Sequence, residues 1–289
     1  MKVTRCKEMS FLHETYTLNN GIQIPEVGLG TWQQTKQQAH DSVAAALKAG
    51  YLYVDTAQMY QNEDAVGAAI AESGIDRATL TISTKIDASI KNYQDAARSI
   101  DESLAALGTD YIDLLLIHAP RPWNQMAVPN VRPVAGNNYY EENVAVWHAM
   151  EDAVKAGKVK SIGVSNFNNE DLKNILDAAE IKPVVNQIIY HIGMTQDVNQ
   201  PFTEANGLLV QAYSPIGTGR LLRMPELQEI AAHYDRSVAQ LAIRYALAKG
   251  TLPLPKANHP EYVAQNADVD FEITAADMAV LDAIEMPYW

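Results

Sequence analysis

Two hydrophobic periods take turns along this chain. Stretches with apolar residues at three- and four-residue intervals alternate with short runs of Val, Ile and Leu, the first pattern reading as helix and the second as buried strand. Helical spacing over 39–49 precedes an apolar run at 51–54. The pairing then recurs as 64–72 with 80–84, 93–107 with 112–117, 141–156 with 161–164 and 169–179 with 184–188. A more polar helical stretch near 196–206 leads to 208–213, and 237–249 leads to 252–254. With a first short strand at 27–29, the pattern predicts eight strands in strict alternation with helices. Such alternation means parallel strands joined by helical crossovers. Runs without a polar face fit strands covered on both sides. Eight of them favour a closed (β/α)8 barrel over an open doubly wound sheet.

Three stretches exceed that plan. Residues 16–26 read as a small hairpin with Asn20-Gly21 as its turn. The Pro-, Asn- and Gly-rich excursion 119–138 is too long for an ordinary connection, and is either functional or disordered. A last helix is expected over 275–284. Helix starts fit the register, with Asn168 three before Asp171 and Thr274 three before Asp277. The run GLGTWQ lacks the third glycine of a dinucleotide fingerprint, and no long helix follows it directly. No repeat or linker-like shift divides the sequence, so a single domain over 1–289 is expected.

Composition narrows the function classes. The 289 residues carry a formal net charge of −13, which argues against a general nucleic-acid or anionic-membrane surface. An anionic ligand must then be met by a local cluster of donors. Cys6 is the only cysteine, so no intrachain disulfide forms and an intracellular setting fits. The N-terminal residues lack the apolar core of a secretion signal, and no stretch approaches a membrane span. A cytoplasmic location is expected.

The candidate chemistry sits where strands end, the face on which barrels of this kind carry their sites. Asp55 and Tyr60 follow the second strand, Lys85 ends the third and His118 ends the fourth. Ser165 and Asn166 close the fifth, Gln187 lies in the sixth, Tyr213 and Ser214 close the seventh, and Lys256 follows the eighth. Singly, each has a structural explanation: a helix cap, a solvated lysine, a satisfied histidine. Together, three consecutive strands deliver a carboxylate, a phenol, an ammonium and an imidazole to one end of one barrel. An ammonium beside a phenol lowers its pKa, a carboxylate keeps that ammonium charged, and an imidazole can orient a substrate oxygen. The set suits protonation of the oxyanion formed when hydride reaches a carbonyl. Asn62 and Glu63 are expected only to fix the turn and begin the next helix. A metal-dependent hydrolase fits poorly, since the seven histidines are scattered and no HExxH occurs.

The ordered signatures YLYVDTAQMYQNEDAVG, ISTK at Lys85, YIDLLLIHAP at His118, GKVKSIGVSNF, VVNQIIYH, QAYSP and LPLPKA make the chain similar to aldo-keto reductases over about 15–284. The resemblance implies an NADPH-dependent carbonyl reductase with Asp55, Tyr60, Lys85 and His118 as its tetrad. It implies that Ser165, Asn166 and Gln187 hold the cofactor carboxamide and that Tyr213 stacks on the nicotinamide. Ser214, Ile216 and Gly217 would lie over the pyrophosphate, Gln265 and Asn266 would face the adenine, and Thr31 and Trp32 would border nicotinamide and substrate. Family members often work as monomers on small carbonyl compounds. A cofactor-binding regulatory subunit without turnover is the alternative.

Several positions depart from the family pattern. Ala119 stands where a tryptophan commonly follows the histidine, which opens the pocket and leaves Trp123, or another aromatic such as Tyr139, to fill it. Ile189 replaces a common acidic residue. Ala257 and Tyr262 stand where Ser or Thr and Arg usually bind the 2′-phosphate, leaving Lys256 as the obvious cation. Loss of a bidentate arginine is not conservative, so NADPH is the expected cofactor with NADH use open.

Overall fold

The chain enters through a hairpin of β1 (Thr15–Thr17) and β2 (Gln23–Pro25), paired antiparallel. Its connection is a five-residue loop rather than a tight Asn-Gly turn, because Leu18 turns inward and is buried. Gly21 takes the left-handed conformation within that loop. Asn19 donates to the Pro183 carbonyl and Asn20 to Ser161 Oγ, so the hairpin is fastened across one mouth of the barrel. The computed structural model describes residues 10–126 and 137–286, and the remainder of the 119–138 excursion lies outside the described residues.

Eight parallel strands follow in sequence order: β3 (Leu29–Gly30), β4 (Tyr53–Asp55), β5 (Thr81–Ile86), β6 (Ile112–Ile117), β7 (Val159–Ser165), β8 (Val185–Ile189), β9 (Leu209–Tyr213) and β10 (Leu252–Leu254). The barrel closes where the Gly28 and Gly30 amides donate to the Pro253 and Pro255 carbonyls at 3.2 and 2.9 Å. A Cβ at Gly30 would sit 3.0 Å from the Leu254 carbonyl oxygen, so the seam needs glycine there. Strand β4 begins two residues later than the apolar run suggests. The Tyr51 amide is spent closing the preceding helix on the Ala46 carbonyl, and Asp55 thereby falls inside the strand.

Helices α1 (Lys36–Ala49), α2 (Glu63–Ser73), α3 (Tyr93–Leu107), α4 (Tyr140–Lys155), α5 (Asn169–Ala178) and α6 (Asn199–Ala205) form the crossovers. Helices α7 (Pro225–His233) and α8 (Val238–Ala248) together join β9 to β10, and α9 (Pro260–Ala267) and α10 (Ala275–Asp282) close the chain. The sequence pattern does not announce α7, which is short and has no capping side chain. Caps fix most other starts: Thr35 with Gln38 and Ser237 with Gln240 form reciprocal boxes. Asn168 caps α5 on two amides, but Asp171 does not return the bond, since its carboxylate is taken by Arg121. Helices α2 and α3 touch through Gly67, where a Cβ would lie 2.3 Å from the Leu107 carbonyl oxygen. Among the described residues no helix is long and apolar enough to cross a membrane.

The main core lies between barrel and helices, around Trp147, Val164 and Phe167. A separate apolar plug fills the barrel beside the hairpin, built from Leu18, Ile24, Leu114, Leu116, Val185 and Leu252. The remaining barrel interior, toward the strand ends, holds Asp55, Ser83, Lys85, Gln187 and Gln211, all buried. A buried polar set of this density must be mutually hydrogen-bonded. It lies beneath the site.

Candidate active site

Strand β4 delivers Asp55 and β5 delivers Lys85 into the same interior. Lys85 is fully buried and donates to Asp55 Oδ2 at 2.7 Å and to the Thr56 carbonyl at 2.8 Å. Burial lowers the lysine pKa, and the Asp55 carboxylate opposes that shift. Tyr60 ends a short 3-10 turn, Gln58–Tyr60, that leaves β4. Its ring centroid is 5.1 Å from Lys85 Nζ, and its edge meets His118 with centroids 5.5 Å apart. The four predicted residues are brought together.

One expectation is corrected. The phenol is not lowered by the neighbouring ammonium: burial, then the Asp55 charge, pushes Tyr60 well above its ordinary value. Lys85 spends its hydrogens on Asp55 and Thr56 and lies under the ring rather than at the hydroxyl. The Tyr60 hydroxyl therefore keeps its proton, with no hydrogen-bond partner among the described residues. His118 is also buried, which, with the Lys85 charge, holds its pKa well below the usual imidazole range. Its Nδ1 is closed off without a partner among the described residues, so Nε2 is the nitrogen on the cavity that His118 lines.

That cavity, about 780 Å³, collects most of the other candidates. Asp55, Tyr60, His118, Trp32, Ser165, Asn166, Gln187, Tyr213, Ser214 and Ile216 line it, together with Trp123, Lys256, Ala257, Tyr262, Gln265 and Asn266. Thr31, Lys85 and Gly217 do not. Thr31 is buried below the surface and donates its hydroxyl to the Asp55 carbonyl at 3.0 Å. Gly217 acts through backbone, its amide closing a turn on the Ser214 carbonyl at 2.8 Å. The expected carboxamide holders are already engaged with one another. Asn166 Nδ2 donates to the His118 carbonyl, and Asn166 Oδ1 accepts from the Tyr213 hydroxyl at 2.8 Å. Gln187 Nε2 donates to Asp55 Oδ1 and to Gln211 Oε1, both at 3.0 Å.

Of the two aromatics named for the space beside Ala119, Trp123 is the one that lines the cavity. It packs edge-on against His118 at 5.1 Å, whereas Tyr139 turns to Gln125 and does not line the cavity. The loop start that carries Trp123 is pinned. Lys91 donates to the Ala119 carbonyl and to Asn143, and Asn143 donates to the Pro120 carbonyl. Arg121 makes a buried bidentate pair with Asp171. Lys91, half-buried beside Arg121, has its pKa pushed down to about 7, chiefly by burial. Asn62 and Glu63 are structural, as expected. Asn62 is buried and ties Thr56 to the Thr31 and Gln34 carbonyls, and Glu63 accepts from Thr84.

Sequence reading missed the exposed Met59 and Leu222, which join Trp32 in an apolar rim. It also missed Asn258 and His259 as lining residues. Met59 adjoins Tyr60 and was open to notice; Leu222 depends on the irregular path after β9, where Ser214, Thr218 and Gly219 have positive φ. His259 meets Tyr262 edge-on at 5.7 Å, a pairing visible only once α9 has formed. Among the described residues no three His, Cys, Asp or Glu side chains converge as a metal-binding group.

Carboxylate, ammonium, phenol and imidazole gathered at the strand ends of a (β/α)8 barrel make an enzyme-like site, and the comparisons name the family. Residues 26–286 match the aldo/keto reductase family model, and the chain belongs to that family. It is 37% identical over 275 residues to a glyoxal reductase of Bacillus subtilis, covering 94% of this chain and 93% of that one. It is 34% identical to a morphine 6-dehydrogenase of Pseudomonas putida, covering 93% and 90% respectively. Among solved structures, an aldo/keto reductase from Brucella melitensis superposes with a TM-score of 0.84 at 37% identity, covering 93% of this chain and 97% of that one. Members of the family are oxidoreductases of small carbonyl compounds and generally use nicotinamide cofactors.

Proposed function

We propose that this protein reduces aldehydes or ketones to alcohols with NADPH as hydride donor, NADH serving as a weaker alternative. One observation carries the reading. In a largely apolar cavity, the Tyr60 hydroxyl and His118 Nε2 have no hydrogen-bond partner among the described residues, and both adjoin the buried Asp55–Lys85 pair. A carbonyl oxygen fits between such donors.

The cavity suits a nicotinamide cofactor. Gln187 commits its amide hydrogens to Asp55 and Gln211, which leaves Oε1 as an acceptor for a carboxamide beside Ser165 and Asn166. Lys256 supplies a cation, and the exposed Tyr262 with His259 offers an aromatic face for adenine. The bound cofactor supplies the hydride. A neutral His118, protonated on Nε2, donates to the substrate oxygen and aims the carbonyl. As the C=O π bond breaks and its oxygen gains charge, Tyr60 gives that oxygen its proton. The phenolate left behind, raised in energy by burial and by the Asp55 charge, takes its proton back from water at once. Lys85 stays charged because Asp55 holds it.

The test is cofactor consumption over a panel of aldehydes, α-keto esters, sugars and diketones with both nicotinamide cofactors. Consumption with at least one carbonyl class is expected, and none across the panel would count against the reading. Lys256→Ala is expected to weaken NADPH far more than NADH, because only the former carries the extra phosphate.

A further inference from the structure

Beneath the site runs a closed circuit of buried hydrogen bonds. Gln187 Nε2 donates to Gln211 Oε1 at 3.0 Å, Gln211 Nε2 to the Tyr53 hydroxyl at 2.9 Å, and that hydroxyl to Ser83 Oγ at 2.9 Å. Ser83 Oγ then donates to Asp55 Oδ1 at 2.7 Å, and Gln187 reaches the same oxygen directly at 3.0 Å. The five residues come from four strands, and none exposes more than 4% of its surface. Both branches start at the Gln187 amide nitrogen and end on Asp55 Oδ1. The other carboxylate oxygen, Oδ2, is left to Lys85.

We propose that Tyr53, Ser83 and Gln211 are positioning residues that lock Asp55 in the rotamer that keeps Lys85 charged under Tyr60; this rests on the tetrad reading above. Three features support it. A carboxylate with one oxygen held from two sides cannot rotate without breaking both bonds. Among the described residues the polar groups of Gln211 and Tyr53 bond only within the circuit, where apolar side chains would otherwise fill the barrel at lower desolvation cost. Finally, the circuit fixes which way the Gln187 amide faces, because its nitrogen has two acceptors and its oxygen meets no donor within the ring. Asp55 geometry and the acceptor offered to the cofactor are therefore set by one network. Cutting it at Tyr53 orphans the Gln211 amide and loosens Ser83 under Asp55, while Gln187 keeps both of its acceptors.

The variants to make are Tyr53→Phe, Ser83→Ala and Ser83→Thr, with Tyr60→Phe as control. For Tyr53→Phe and Ser83→Ala, kcat for reduction is expected to fall roughly tenfold or more, with the cofactor Kd changed less than about twofold. The alkaline limb of kcat should move to lower pH, because Lys85 loses its proton sooner when Asp55 is free to swing. Ser83→Thr, which keeps the hydroxyl, should restore both. Independently of turnover, the ¹³Cε signal of Lys85 in lysine-labelled, cofactor-free protein should titrate at lower pH in Tyr53→Phe than in the parent. An unchanged Lys85 titration and pH profile in Tyr53→Phe overturns the proposal, including where Tm and cofactor affinity fall together, since that marks general loosening. If Tyr60→Phe itself turns over normally, the tetrad reading fails; if Tyr60→Phe is inactive and Tyr53→Phe is unaffected, only the circuit proposal fails.

Discussion

At the residue scale, Tyr60 is governed by two opposed effects. A cation near a phenol lowers its pKa, and burial raises it; here burial wins, because the Lys85 charge is spent on Asp55. An acid with a raised pKa keeps its proton until the pH exceeds the raised value. Reduction, which consumes that proton, should therefore stay level from about pH 6 to about pH 9, while alcohol oxidation, which needs the phenolate, should rise across the same span. Steady-state rates in both directions check this, and a reduction rate that declines through neutrality would show a phenol tuned downward after all. The four residue types could be picked out of the sequence because Asp55, Lys85 and His118 stand at the ends of apolar runs and Tyr60 follows Asp55 within five residues. The direction of the phenol shift could not, since it depends on burial and on where Lys85 sends its hydrogens.

At the scale of elements, the segment after β6 decides what stands beside His118. Arg121 and Asp171 lie 50 residues apart and pair in bidentate fashion, 7% and 1% exposed. Removing one partner from such a pair leaves the other charge uncompensated, so Arg121→Met should cost about 3–5 kcal/mol of stability. The double replacement Arg121→Met with Asp171→Leu should recover much of that loss in chemical denaturation. A single variant as stable as the parent would mean the pair does not anchor the loop. Strand and helix identities were largely legible, because buried parallel strands leave uninterrupted Val, Ile and Leu runs such as residues 112–117. The ends were less so. Helix α7 carries no cap, β4 yields Tyr51 to the preceding helix, and the hairpin loop is lengthened by burial of Leu18. Asp171 looked like half of a capping box, and only the fold shows its carboxylate turned to Arg121.

At the scale of the whole molecule, eight strands bring residues from Gly30 to Asn266 onto one cavity against a net charge of −13. An anionic cofactor is then held by a few local donors and not by the protein's field. Because it binds the folded chain, a nicotinamide cofactor at a hundred times its Kd should stabilise the protein by about 2.7 kcal/mol. Thermal unfolding with matched concentrations of NADPH and NADH reads the difference that Lys256 makes without any substrate. A larger shift with NADPH is expected in the parent and equal shifts in Lys256→Ala. The barrel itself could be inferred from alternation alone. The interior circuit could not, since Tyr53 and Gln211 are 158 residues apart and neither stands out within its own strand.

Whether Tyr60 supplies the proton is read out by single-turnover reduction in Tyr60→Phe with cofactor prebound. The rate should fall by about a thousandfold or more, with cofactor affinity by fluorescence titration essentially that of the parent. A rate within a few-fold of the parent would contradict that role.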